Sequence, residues 1–74
     1  MNISSFDLNQ EVKINYTNWR GATAVRRIIP IKIFFGATDW HKEEQWLLQA
    51  FDLDRETSRD FAIKDIIEWG VSVV

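Results

Sequence analysis

A proline inside the longest run of β-forming residues constrains the fold of this 74-residue chain more than any other feature. Residues 23–35 are rich in β-branched and aromatic side chains, which favour an extended strand. Pro30 lies within this run and lacks the N–H group that a sheet ladder needs, so it marks an edge, a bulge or a bend. A strand that bends at Pro30 can serve two parts of one curled sheet. The pattern therefore predicts a small, curled β-sheet.

Four further segments have strand character, and turn residues separate them. Residues 12–16 alternate apolar and polar side chains, which predicts a half-buried strand with Val12, Ile14 and Tyr16 on one face. Residues 45–53 are apolar on both faces, as in a central strand or a buried helix, and the flanking turn favours the strand. The predicted elements are strands at residues 12–16, 23–35, 45–53, 58–63 and 69–74, a helical turn at residues 64–67 and a flexible leader at residues 1–10. Residues 11–74 are therefore expected to form one mostly-β domain, a five-stranded curled sheet or barrel with one short helical turn.

Composition limits how such a domain can be stabilised and indicates the cellular compartment in which it acts. A chain of this length is one domain, and its lack of cysteine excludes disulfides and cysteine-based zinc sites. The absence of cysteine fits a reducing compartment. The first ten residues lack the pattern of a signal peptide, and the longest apolar run is far shorter than a membrane span. We therefore expect a cytoplasmic protein that does not enter a membrane and carries no cofactor.

Charge is divided unevenly along the chain. Residues 12–38 contain five basic residues and no acidic ones, whereas residues 39–68 contain nine acidic residues and four basic ones. The basic half could form a face that binds anions. Alternatively, the two halves could pair as neighbouring strands and neutralise each other across the sheet, which is the interpretation we favour.

Two groups of side chains could contact an anionic ligand. Arg26 and Arg27 point to opposite faces of a strand, so one of them could hold a phosphate through its guanidinium fork. The alternative for this pair is a cross-strand salt bridge to Asp52, Asp60 or Glu68. Tyr16, Trp19 and Arg20 surround the first hairpin turn, where exposed aromatic rings beside cations suit base stacking. Against this, Tyr16 could belong to the core and Trp19 could cover one end of a barrel.

Several segments together resemble the WYL domain, a small barrel related to SH3-like and Sm-like folds. The matching segments, within residues 11–69, are the strand ending at Tyr16 with the turn at Gly21, Arg26 four residues before Pro30, the triplet Trp46-Leu47-Leu48 followed by Ala50-Phe51-Asp52, and Arg59-Asp60-Phe61 leading into a short turn. This chain departs from the family at Leu47, where the name-giving tyrosine is expected, and at Asp65, where an arginine is common. Residues 1–10 leave no room for the helix-turn-helix that usually precedes such a domain.

The resemblance implies a regulatory, non-enzymatic domain that senses a nucleotide or a single-stranded nucleic acid. The family pattern assigns ligand handling to Tyr16, Arg26, Trp46 and Arg59, and the local charge pattern adds Arg27. Trp46 has apolar neighbours on both faces, so we expect it in the core, where it would support the ligand pocket from behind.

Other functions have less support from the sequence. The main alternative is a module that binds a protein or a second copy of itself through exposed strand edges and surplus aromatic residues. Alternating Asp39, His41 and Glu43 are a weak candidate for a metal site, because a solvated loop explains them as well. No serine or cysteine is tied to the single histidine, so we expect no nucleophilic enzyme.

Overall fold

In the part of the chain that the structure describes, five antiparallel strands form a single curled sheet in the order β4-β3-β2-β1-β5. The computed structural model describes residues 10–39 and 41–70. The elements are β1 Val12–Thr17, β2 Thr23–Gly36, β3 Gln45–Asp52, β4 Thr57–Ala62, a 3-10 turn Ile63–Asp65 and β5 Ile66–Trp69. The sheet does not close into a barrel, because β4 and β5 are not paired with each other within these residues. The described part of the chain contains no helix long and apolar enough to cross a membrane.

The bend in β2 divides the sheet into two parts. Residues 23–28 of β2 pair with β1, and residues 28–36 pair with β3. The register shifts between Pro30 and Lys32, so an extra residue lies in β2 at that point. Such a bulge bends and twists a strand. The prediction that Pro30 marks a bulge or bend in a curled sheet is confirmed.

Alternating side chains from all five strands form the core on one face of the sheet. Ile14 and Tyr16 belong to this core and Val12 packs against it, as the period-two pattern predicts. Burying a large apolar side chain contributes about 1.5–3 kcal/mol. The buried core cluster comprises Ile14, Tyr16, Ile28, Leu48, Ala50, Phe61 and Ile66. Strand β3 lies between two other strands, which confirms the choice of a strand over a buried helix at this point.

The C-terminal part of the prediction needs correction. The helical turn begins one residue earlier than expected, at Ile63, and the last strand begins at Ile66 rather than at Trp69. Ile66 is buried and pairs with Tyr16, so packing against β1 draws it into the sheet. The predicted leader at residues 1–10 and the predicted strand at residues 69–74 lie largely outside the described residues.

Candidate functional site

A groove opens where the β1–β2 turn faces the beginning of β4. It has a volume of about 490 Å³ and is lined by Tyr16, by Asn18 and Trp19 in the turn, by His41 and by residues 55–60 apart from Glu56. A smaller cavity of about 290 Å³ shares Tyr16, Trp19 and His41 with it. Because the two cavities share these three side chains, we treat them as one site and call it the Tyr16 groove. Its volume lies in the range of pockets that hold small molecules.

Tyr16 joins the core to the groove. Its ring meets Phe61 edge-on, with the ring centroids 4.9 Å apart, and its hydroxyl accepts a hydrogen bond of 3.4 Å from the backbone N–H of Ala62. Burial raises the pKa of the Tyr16 phenol above its ordinary value, and nearby Asp65 raises it further, against the hydrogen bond from Ala62 and the charge of Arg59. The phenol therefore keeps its proton at neutral pH. Within the described residues the Tyr16 hydroxyl donates no hydrogen bond, and Tyr16 lines the groove, so its proton can be donated to a ligand oxygen.

Trp19 is presented to solvent by a tightly bonded turn. The Asn18 side-chain oxygen accepts hydrogen bonds from the backbone N–H groups of Arg20 and Ala22, at 2.9 and 3.0 Å. Backbone bonds between Asn18 and Ala22 and from Gly21 to Asn18 close the same turn, and Gly21 has a positive φ of 80° that glycine adopts without strain. Trp19 is 79% exposed. An aromatic face is therefore held at the groove by a fixed backbone.

Arg59 places a cation in the wall of the groove. On β4 it lies 3.5 Å from Oδ2 of the buried Asp52, and its guanidinium lies 5.5 Å from the centre of the Phe61 ring. Oδ1 of Asp52 accepts hydrogen bonds from the backbone N–H groups of Asp54 and Arg55, which fixes the carboxylate. Oδ2 is buried and has no hydrogen bond to a described residue. Asp52 therefore orients Arg59 by charge, without a hydrogen bond between them, and the guanidinium N–H groups of Arg59 remain available to a ligand.

His41 ties the loop after β2 to β4 at the rim of the groove. Its Nε2 lies 3.0 Å from the backbone oxygen of Asp60. Its backbone N–H donates to the Thr38 hydroxyl, and its carbonyl accepts from the Thr38 N–H. Within the described residues, no three carboxylate, imidazole or thiol side chains converge as a metal site would require.

The structure brings only some of the predicted ligand residues together. Tyr16 and Arg59 line the groove, whereas Arg26, Arg27 and Trp46 do not. Arg27 forms a salt bridge of 2.8 Å with Asp54, which holds the pKa of that carboxyl below its usual range. Asp54 was not among the three acidic partners expected from sequence.

The expectation that Trp46 lies in the core is wrong. It is 58% exposed, and its ring packs edge-on against Phe35 with centroids 5.4 Å apart. The reason is the length of β4, which ends at Ala62 opposite Leu47 and does not reach Trp46. The indole therefore does not support the groove from behind.

Several groove residues were not singled out by sequence reasoning as ligand residues. Arg55, Thr57 and Ser58 had been assigned only to a turn and a strand start, yet they line the groove beside Arg59. No local sequence pattern marks them, because the groove forms where two hairpins that are distant in sequence meet. Together they add a second guanidinium and two hydroxyl groups to the wall. Over both cavities, the acidic lining residues are Glu43, Asp60 and Asp65, and Lys42 and Lys64 are further basic ones.

Comparison with known proteins adds no assignment for this site. No protein-family model matches the chain, and no curated protein or solved structure is significantly similar to it. The resemblance to the WYL domain therefore stays a prediction.

Proposed function

We propose that this protein is a non-enzymatic regulatory domain whose Tyr16 groove binds a nucleotide or a short single-stranded nucleic acid. One observation carries the proposal: an exposed indole, Trp19, lies on the same groove as two guanidinium groups, Arg55 and Arg59. Proteins bind single-stranded nucleic acids of any sequence by stacking the bases on aromatic side chains and by pairing the phosphates with cations. The resemblance to the WYL domain favours the same class of ligand.

Each part of such a ligand has a chemical counterpart in the groove. Arg59 and Arg55 would hold phosphate oxygens through charge-assisted hydrogen bonds, with the Ser58 hydroxyl as an additional donor. Trp19 would stack on the base, and the protonated Tyr16 hydroxyl would donate to a sugar or phosphate oxygen. Arg20 lies 4.8 Å from the centre of the Trp19 ring, so its charge adds to the attraction for phosphate near the stacked base. We place this activity in the cytoplasm, where a chain without cysteine loses nothing to reduction.

The proposal is tested by the affinity of labelled single-stranded oligonucleotides for matched pairs of variants. Arg55→Ala removes an exposed guanidinium whose side chain forms no hydrogen bond or ion pair with the described residues, so the fold should be unaffected. Its control is Arg27→Ala, which removes an arginine outside the groove. Because hydrogen bonds to charged groups contribute roughly 1.5–3 kcal/mol, we expect Arg55→Ala to weaken binding roughly 10-fold or more, and Arg27→Ala to leave it unchanged.

The stacking component has its own matched pair. Trp19→Ala should weaken binding by roughly 1–3 kcal/mol, the usual value for one stacked base. Trp46→Ala removes an equally large exposed indole that does not line the groove, and it should bind like the wild type. Equal affinity of all four variants, or no binding by a folded wild type at low salt, would overturn the proposal.

A further inference from the structure

The second half of β2 has an edge that no described strand covers. Residues 28–36 pair with β3 on one side, while β1 ends its pairing with β2 at Ile28 on the other side. We call the uncovered side of residues 29–36 the open edge. An uncovered strand edge presents unpaired N–H and C=O groups that can pair with another strand.

The bulge determines which backbone groups face the open edge. The carbonyl of Arg27 accepts from the N–H of Leu53, so odd-numbered residues bond toward β3 before the bulge. The extra residue reverses this alternation, as the pairing of Lys32 with Gln49 shows. After the bulge, Ile33 and Phe35 therefore direct their N–H and C=O groups away from β3.

The side chains along the open edge are apolar and exposed. Ile31 and Ile33 are each 38% exposed, Phe35 is 55% exposed, and Trp46 lies against Phe35. Lys32 is the only charged residue of this segment. The two outer strands of the sheet are less suitable for pairing, because β4 carries charged Arg59 and Asp60, and within the described residues β5 spans four positions.

We propose that the open edge pairs with the same edge of a second copy of this chain, antiparallel and with Ile33 on the two-fold axis. This register places Ile33 opposite Ile33 of the second copy and Ile31 opposite Phe35, so apolar side chains meet. It also places Lys32 opposite Phe34 of the second copy. Within one chain Lys32 already lies 5.4 Å from the Phe34 ring, and the pairing would add a second cation–π contact without placing two lysines together.

The absence of native cysteine allows a direct test of the axis. Directly opposed residues of an antiparallel hydrogen-bonded pair have Cα atoms about 5.5 Å apart, within the range that a disulfide spans. We expect Ile33→Cys to give a covalent dimer under mild oxidation. Val25→Cys is the control, because Val25 is also exposed on β2 but lies outside the open edge, and we expect it to stay uncrosslinked.

Sedimentation of charge variants distinguishes this dimer from random collision. We expect wild-type dimers, and monomers for Ile33→Lys and for Ile33→Glu, because each variant alone places like charges on the axis. An equimolar mixture of the two variants should form dimers again, since opposite charges then meet. A monomeric wild type, a mixture that stays monomeric, or equal crosslinking at positions 25 and 33 would overturn the proposal. If the wild type is monomeric and an added extended peptide shifts the amide signals of residues 31–36, the edge serves a different partner.

Discussion

At the scale of single residues, Tyr16 links stability to the proposed site. Its hydroxyl accepts from Ala62, its ring packs on Phe61, and its remaining proton is available in the groove. One side chain therefore holds β1 against β4 and contributes a donor to ligand binding. Any substitution at Tyr16 should affect both properties, so the groove arginines and Trp19 are better positions at which to test binding alone.

Titration of the single tyrosine checks this arrangement. Burial raises the pKa of Tyr16, so in the folded protein we expect its phenolate absorbance to develop above pH of about 10. In denaturant, the unfolded chain should titrate near pH of about 10. The unfolded chain loses this proton first as the pH rises, so the free energy of unfolding should fall as the pH rises through that window. Tyr16→Phe should remove this part of the pH dependence. A phenol that titrates at the same pH in the folded and unfolded protein would contradict the buried position.

Asp52 is a second residue on which local structure depends. Its Oδ1 accepts from the N–H groups of Asp54 and Arg55, and the carboxylate is fully buried beside Arg59. Asp52→Ala should lower the free energy of unfolding by about 1–3 kcal/mol, since these donors lose their acceptor. Asp52→Asn keeps the acceptor oxygen and should cost less, which urea denaturation would measure. If the two variants lose the same free energy of unfolding, Asp52 contributes through its negative charge and not through its hydrogen bonds to the turn.

At the scale of elements, the β1–β2 turn determines where Trp19 lies. Asn18→Ala removes the oxygen that accepts from two backbone N–H groups, and it should cost about 1–2 kcal/mol of stability. Arg20→Ala, in the same turn, removes no backbone acceptor and is the control for stability. If the turn holds Trp19 in place, Asn18→Ala should also weaken oligonucleotide binding at temperatures where the variant remains folded. Unchanged stability and affinity would mean that the turn is held by its backbone bonds alone.

Local sequence rules determined most of these elements. Alternation in β1 and the proline in β2 act over neighbouring residues, so strand positions and the bulge at Pro30 could be predicted. Which residues cover a strand depends on elements that are distant in sequence. The apolar neighbours of Trp46 therefore predicted a core position, whereas β4 ends before it reaches Trp46 and leaves the indole exposed. The pairing of Arg27 with Asp54 and the position of Arg55 depend on how two hairpins meet. Sequence reasoning therefore singled out three side chains that line this groove, Tyr16, Trp19 and Arg59, but not the rest of its lining.

At the scale of the whole molecule, the groove and the open edge are formed by different residues. The groove uses the β1–β2 turn and β4, whereas the open edge uses the second half of β2. None of the edge residues 29–36 lines the groove. Binding at the groove and pairing at the edge should therefore be separable by mutation, with Ile33 variants retaining the oligonucleotide affinity of the wild type.

Salt dependence tests the electrostatic part of the proposal for the whole protein. If Arg55 and Arg59 each contact a phosphate, the logarithm of the binding constant should fall with the logarithm of salt concentration with a slope of roughly −1.4. Arg55→Ala should reduce that slope by roughly 0.7. A slope near zero for the wild type would exclude phosphate contacts as a source of affinity.

The most direct single measurement is a two-dimensional amide and indole NMR titration with nucleotides and short single-stranded DNA and RNA, at low and moderate salt. We expect shifts at the Trp19 indole and at the amides of Arg55, Ser58 and Arg59, and we expect them to fade as salt is added. The indole of Trp46 and the amides of residues 31–36 should stay unchanged. A well-folded protein whose spectrum does not respond, or responds only outside the Tyr16 groove, would contradict the proposed function.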